Sequence, residues 1–287
     1  MFVFCVPELS AQINRNRHNH NIALWGAGGY SNIFQNSDEI NSRGRFAYGF
    51  GIGYEFHRRS FILQTGVEFQ DLRGNLQLNN RTHVIPNLID DEGHIFDGNF
   101  HFLDNNDRYS LGYLNIPLML GFQWQRFYFL VGGKVGLNLF GRSNTESLMN
   151  PTRSYHMLIP GEIGNMPSQG LYPRTVNFSS DVAMGLNYMV SAEVGRVFRP
   201  NPERNSRFTY RLAIFADYGL ANIHSNPRSE YWVLHTAPEP VFSPVLNSLV
   251  HTSLLENKAL STLFVGVRFT VLFQLPERRI CLWNLCN

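Results

Sequence analysis

Nine charged side chains recur at positions where a strand would turn them inward: Arg45, Glu55, Glu68, Lys134, Asp181, Glu193, Arg211, Asp217 and Arg268. Each lies on the polar parity of a run whose other parity is apolar. Both signs are present. Charges held in a dry interior must pair and hydrogen-bond. Two kinds of chemistry fit such a set. It either fills and stiffens a closed interior, or it lines a narrow pore or a proton-linked gate.

The elements that must hold these charges are strands. From Tyr109 to Phe140, Leu114, Ile116, Leu118, Leu120 and Phe122 share one parity, and after Gln123–Arg126 so do Phe127, Phe129, Val131, Val135, Leu137 and Leu139. A period of two with a short connection reads as an antiparallel hairpin. The same alternation marks strands over Asn21–Phe34, Arg45–Phe56, Phe61–Leu72, Asp181–Phe198, Phe208–Ile223 and Leu260–Leu275. Pro117 lacks an amide donor and predicts a bulge or a weak pairing inside the central hairpin. Polar, Asn-, Asp- and Pro-rich segments at Arg73–Arg108, Gly141–Ser180 and His224–Ala259 read as long loops, and His57–Ser60 and Arg199–Arg207 as turns.

About eight strands result, with short and long connections alternating. That is the pattern of an all-β, eight-stranded, antiparallel up-and-down transmembrane β-barrel with long extracellular loops. Both termini are then expected in the periplasm. Composition agrees: 16% charged and 14% aromatic, with a mean hydropathy of −0.19. No apolar run reaches the roughly 18 residues of a membrane helix. A net charge of +2 without a basic, aromatic-interleaved run excludes a nucleic-acid surface.

Aromatics mark both ends of the apolar face. Tyr54, Phe56, Phe61, Phe122, Phe127, Phe198, Phe208 and Phe273 lie near the short turns; Tyr30, Phe46, Phe69 and Tyr218 lie near the long loops. The interval is about ten residues, or about 25 Å of height for tilted strands, the apolar band of an outer-membrane barrel. Two residues break the pattern. Arg196 falls on the apolar parity, which predicts either snorkelling or a bulge, and Phe140 falls on the polar one. Inward glycines, among them Gly49, Gly51, Gly53, Gly132 and Gly136, are expected to make room for long Arg and Lys chains.

Catalytic and metal chemistry finds no foothold in the pattern. The ten histidines read as turn, loop or N-terminal residues, without metal-site spacing. Gly26-Ala27-Gly28-Gly29 is followed by neither Lys-Ser/Thr nor a helix, so it is no phosphate loop. Omptin-like proteases need more strands, and lipid A deacylase-like barrels need a Ser–His pair on the lipid face. No enzyme activity, metal or cofactor is therefore expected. Residues 1–12, MFVFCVPELSAQ, read either as the end of a signal peptide lacking its positive region, its start truncated or misassigned, or as an apolar N-terminal tail. Residues 13–287 read as a single barrel domain, with 276–287 as a periplasmic tail. Cys281 and Cys286 in that tail suit either a local disulfide or two free thiols.

The run Tyr113-Leu-Asn-Ile-Pro-Leu-Met-Leu-Gly121, with Gly132-Gly133-Lys134-Val-Gly136 after it, resembles the PorT-like outer-membrane β-barrel proteins of the Bacteroidota. The resemblance implies an outer-membrane barrel surrounded by lipid, and some members are linked to the gliding-associated type IX secretion system. Two functions are expected from the whole reading. One is an anchoring, scaffolding or loop-mediated binding protein with envelope or secretion-complex partners. The other is a small channel or transporter.

Overall fold

The computed structural model describes residues 18–35, 40–78, 80–90, 92–155, 159–163, 167, 171–198, 207–223, 233–235, 244–251 and 259–276. The leader, the Arg199–Arg207 turn apart from Arg207, and the cysteines of the tail lie outside the described residues.

Among the described residues thirteen strands follow in chain order: β1 His18–Gln35, β2 Ile40–Arg58, β3 Phe61–Leu78, β4 Arg81–Ile89, β5 Ile95–Trp124, β6 Phe127–Tyr155 and β7 Ile159–Ile163, then β8 Arg174–Asp181, β9 Asn187–Phe198, β10 Phe208–Gly219, β11 Val233–His235, β12 Pro244–Leu246 and β13 Leu260–Gln274. Eight of them close a ring in the order β1, β2, β3, β5, β6, β9, β10, β13 and back to β1, every pair antiparallel. Closure removes the free edges a membrane would penalise. Among the described residues no helix is long and apolar enough to cross a membrane.

Two-residue turns join β2 to β3 and β5 to β6. Arg59 (φ 58°) and Gln125 (φ 54°) take the left-handed conformation that tight hairpins require. Both ends of the ring lie on this turn side, where Asn21 pairs with Gln274.

The opposite, loop side departs from the sequence reading. Arg73–Arg108 and Gly141–Ser180 are not loops throughout. β3 runs on to Leu78, β5 starts at Ile95 and β6 continues to Tyr155, while β4 pairs with β5, and β7 and β8 pair with β6. β5 has 30 residues, about three times the length a tilted membrane strand needs. The reason is a change in which face is apolar. In β3, Val67 faces outward, and Phe61 lies on the same side; above them Leu72, Leu76 and Leu78 are fully buried inside. In β5, Ile116, Leu118 and Leu120 face out, whereas Leu111, Tyr109, Phe102 and Phe100 face in. The lower barrel is apolar outside, and the upper barrel has an apolar core.

β9 also differs from the expected Asp181–Phe198 strand. It begins at Asn187, and Asp181 closes β8. Between them Val182 and Met184 turn into the upper core, and the Val182 amide bonds the Gly141 carbonyl at 2.9 Å.

Pro117 produces no bulge. The β3–β5 register is the same before and after it, and the Thr65 hydroxyl donates to the Pro117 carbonyl at 2.9 Å. The real irregularities lie elsewhere. Among the ring pairings they fall between Gly44 and Tyr48 against β3, between Leu103 and Asn106 against β6, and at Leu139, where Gly112 pairs with Phe140 and Tyr113 with Asn138.

Candidate functional site: a charged lumen

Seven of the nine candidate charges meet inside the lower barrel: Glu55, Glu68, Lys134, Glu193, Arg211, Asp217 and Arg268 are all buried. Strand alternation puts them there, since each occupies the parity opposite an outward apolar residue. At the turn side Glu55 accepts from both terminal nitrogens of Arg211, at 2.9 Å for Nη2, and bonds the His57 ring. The Arg211 guanidinium lies 4.5 Å above the Tyr128 ring, whose hydroxyl donates to Glu193. Glu193 accepts from Arg268 Nη1 at 2.7 Å. Arg268 also reaches Glu68 at 3.4 Å. Lys134 then bridges Glu68 at 3.1 Å and Asp217 at 2.7 Å. Its acidic partners are Glu68 and Asp217, not Glu193.

The network has four carboxylates and three fixed cations. The His57 ring lies beside Glu55. Neutral donors add to the network. Gln70 donates to Asp217 at 2.9 Å, Ser191 bonds the same carboxylate, and the Trp25 indole donates to Glu68 at 3.0 Å. Arg211 Nε, Arg268 Nε and Gln70 Oε1 remain without a hydrogen-bond partner among the described residues, so the network is held by its ion pairs and not by full satisfaction of every atom.

Above the polar storey Phe215 and Phe264 cross edge to face at 4.8 Å, and Arg268 stacks 4.6 Å beneath Phe215. Over them lies the apolar core, closed by residues 247–250. Asp107 holds this segment. It accepts from the Leu249 amide at 2.8 Å and the Ser248 hydroxyl at 3.1 Å, and also from Thr145, Ser143 and Tyr109. Leu249 and Val250 are buried. An eight-stranded barrel is just wide enough for side chains to fill.

The outer face of the lower barrel is a band of exposed Phe, Leu, Ile, Val and Tyr around this charged interior. Such inversion requires an apolar solvent outside. A family profile described as "outer membrane protein beta-barrel domain" matches residues 10–225, three quarters of the chain. The chain belongs to this outer-membrane β-barrel family.

Solved structures of Ail, the attachment invasion locus protein of Yersinia pestis, are similar at low identity. The complex with the heparin analogue sucrose octasulfate is 9% identical, covering 88% of this chain and 98% of Ail at a TM-score of 0.29. Ail alone is 10% identical, covering 87% and 97% at 0.27. That overlap is too loose to carry a ligand across. No curated protein sequence matches the chain.

The outer-membrane barrel corrects several sequence expectations. Asp181 and Arg45 are exposed and outside the lumen, Asp181 because it closes β8, and Arg45 because the Gly44–Tyr48 irregularity turns it outward beside Phe46. The twelve aromatics assigned to the girdles all lie on the outward face and none is buried: Tyr30, Phe46, Tyr54, Phe56, Phe61, Phe69, Phe122, Phe127, Phe198, Phe208, Tyr218 and Phe273. Phe140 joins them. The extra residue at Leu139 turns its ring out, 6.4 Å from Phe69, which in turn lies 5.3 Å from Phe50. Arg196 lies outward in unbroken register, its guanidinium over the rings of Phe127 at 5.9 Å and Phe198 at 5.5 Å.

The inward glycines do not chiefly serve the Arg and Lys chains. A Cβ on Gly51 would stand 2.5 Å from the Trp25 ring, and one on Gly53 2.9 Å from it. Trp25 occupies that gap, and sequence reasoning passed over it although it sits on the same inward parity as Ala23. The histidines are not all loop residues either. His57 lies in β2, His83 in β4 and His101 in β5. At the β4–β5 tip the ligand atoms of Asp90, Glu92 and His94 come within 4.8 Å of one another, a grouping the sequence reading did not pick out. Asp90 there already accepts from the amides of Glu92 (3.0 Å) and His94 (2.7 Å) and from the Tyr155 hydroxyl (3.0 Å).

Proposed function

We propose that this protein is a non-conducting outer-membrane anchor whose loop-side β-extension is its binding surface. The observation that carries the reading is the double seal of the lumen: the ion-pair network from Glu55 to Asp217 below, and the apolar core capped by residues 247–250 above. A conducting barrel of this size would need a continuous wet path past both.

In this reading the two outward aromatic sets are interface girdles, and the tight turns and both ends of the ring face the periplasm. Short periplasmic turns with long external connections are the rule for bacterial barrels. Residues 13–287 then form a single barrel domain with its tail in the periplasm. β4, the upper halves of β5 and β6, and β7 and β8 project from the cell surface. Exposed connecting elements on a rigid scaffold are where binding function usually resides. The motif Tyr113–Gly121 with Gly132–Gly136 supports a place among the PorT-like barrels of the Bacteroidota, and with it an envelope or secretion-complex partner.

Co-purification from native outer membrane tests the binding role. The full chain is compared with a variant in which residues 81–89 are replaced by a short Gly-Ser linker. Loss of a partner with the barrel still folded is expected. Retention of every partner contradicts a role for that part of the extension.

A further inference from the structure

On the outer wall, just above the loop-side aromatics, lies a cavity of about 680 Å³ whose lining includes Arg45, Arg108, Ser110, Arg142, Asn144 and Asp181. Its height follows from register. Arg142 is two residues beyond Phe140, and Ser110 is its partner across the β5–β6 ladder. Successive outward positions are about 7 Å apart along a strand. Arg142 therefore stands one step above Phe140, whose ring lies 6.4 Å from that of Phe69, and Arg108, opposite Asn144, stands two steps above it.

The charge is in excess. Three guanidiniums face one carboxylate among the lining residues. Arg108 is held by Glu146 at 3.1 Å, at a site exposed on both sides. Among the described residues neither Arg45 nor Arg142 has an ion-pair partner. Nearby Arg73 is by contrast paired with Asp71 and stacked 5.6 Å from the Tyr48 ring, so it is not available in the same way. The Ser110 hydroxyl is already donated to Asp71 at 2.7 Å, but that of Ser180, also in the lining, has no hydrogen-bond partner among the described residues, and cations collected beside such a donor suit an oxyanion with several acceptor oxygens. Below them the wall is aromatic: Phe46, Phe50, Phe69 and Phe140. A ligand that satisfies both levels carries phosphate on top and acyl chains beneath.

We infer that Arg45, Arg108 and Arg142 form a binding site for the phosphate groups of an acylated glycolipid in the outer leaflet. The inference rests on the proposed orientation, with the extension outside the cell. The site clamps a lipid at one place on the barrel wall and fixes how deep the barrel sits at the base of its extension.

The test uses the full chain in detergent micelles, with diphosphoryl lipid A, lipid A stripped of phosphate, and inorganic phosphate as probes, read by native mass spectrometry and competition. Wild type is expected to retain diphosphoryl lipid A and not the stripped form. The double variant Arg45→Ala/Arg142→Ala should bind it about thirtyfold more weakly, the loss of two arginines at an anionic lipid surface. The variant Arg58→Ala/Arg59→Ala, with the same charge change at the turn side, should bind as wild type does. Equal binding by Arg45→Ala/Arg142→Ala, equal binding of the stripped lipid, or an equal loss in the turn-side variant overturns the site. Displacement by inorganic phosphate at the same concentration shows a free-phosphate site and overturns the lipid assignment. Unheated gel mobility confirms that both variants are folded. Surface labelling of an engineered cysteine in residues 81–89 reports orientation separately, so failure of the site and failure of the orientation are distinguishable.

Discussion

Lys134 on β6 donates to Asp217 on β10 at 2.7 Å, across the intervening strand β9. The bond spans the lumen rather than following the ladder, and Glu68 on β3 shares the same ammonium from another side. One buried cation thus ties three walls of the ring together. Removing one partner of such a group leaves the others charged and uncompensated.

Charge reversal, Lys134→Glu, should therefore lower stability in detergent by about 3–5 kcal/mol. Thermal unfolding followed by circular dichroism measures it. An unchanged midpoint would mean that the ammonium does not occupy the lumen.

Asp107 predicts a local effect instead. It bonds the Leu249 amide and the Ser248 hydroxyl, and hydrogen bonds to a charged group contribute about 1.5–3 kcal/mol each. In Asp107→Ala, amide exchange at 247–250 should rise by at least about tenfold while exchange in β9 and β10 stays as in wild type. Unaltered exchange at Leu249 would argue against the latch.

Gly51→Ala tests the seat of Trp25. The new methyl would stand 2.5 Å from the indole and 2.7 Å from the Val67 carbonyl. Overpacking of this kind costs about 1–3 kcal/mol. Trp25→Ala in the same chain should recover the part of the loss due to the ring. If the double variant is no better than Gly51→Ala, the backbone contact alone sets the cost.

The β4–β5 tip should loosen in acid. Although burial pushes the Asp90 carboxyl upward, bonds from the His94 amide, the Tyr155 hydroxyl and the Glu92 amide hold it below the ordinary carboxylate range. A carboxyl depressed in the folded state stabilises that state above its unfolded value of about 4 and ceases to do so as the pH falls through the folded value. Hydrogen exchange in 81–89, corrected for its intrinsic pH dependence, should be slower at pH 6 than at pH 3. Equal protection at both would exclude Asp90 as the tie.

The eight ring strands were legible because lipid outside and side chains inside impose a period of two. So were the seven lumen charges, each opposite an outward apolar residue. The β-extension was hidden by the same rule. Above the membrane the apolar face changes sides, so Leu72, Leu76 and Leu78 fall on the parity opposite Phe61 and Val67. Leu72 reads as the end of a strand, and Leu76 and Leu78, among Asn and Asp residues, read as loop. Their own even spacing, like that of Phe96, Phe100 and Phe102, was the available signal. Arg45 and Phe140 were misplaced for another reason. One irregular pairing reverses every later parity, and neither the Gly44–Tyr48 shift nor the one at Leu139 leaves a residue signature. Residues 247–250 were not legible because their role depends on Asp107, more than a hundred residues away in sequence.

The sealed lumen is the central claim, and planar-bilayer recording of the purified full chain tests it most directly. No conductance above background is predicted, at either polarity and from pH 5 to 8. Reproducible unitary openings in wild type that change in size when Lys134 or Arg268 is replaced by Ala would contradict it, because ions would then be passing the residues that close the barrel.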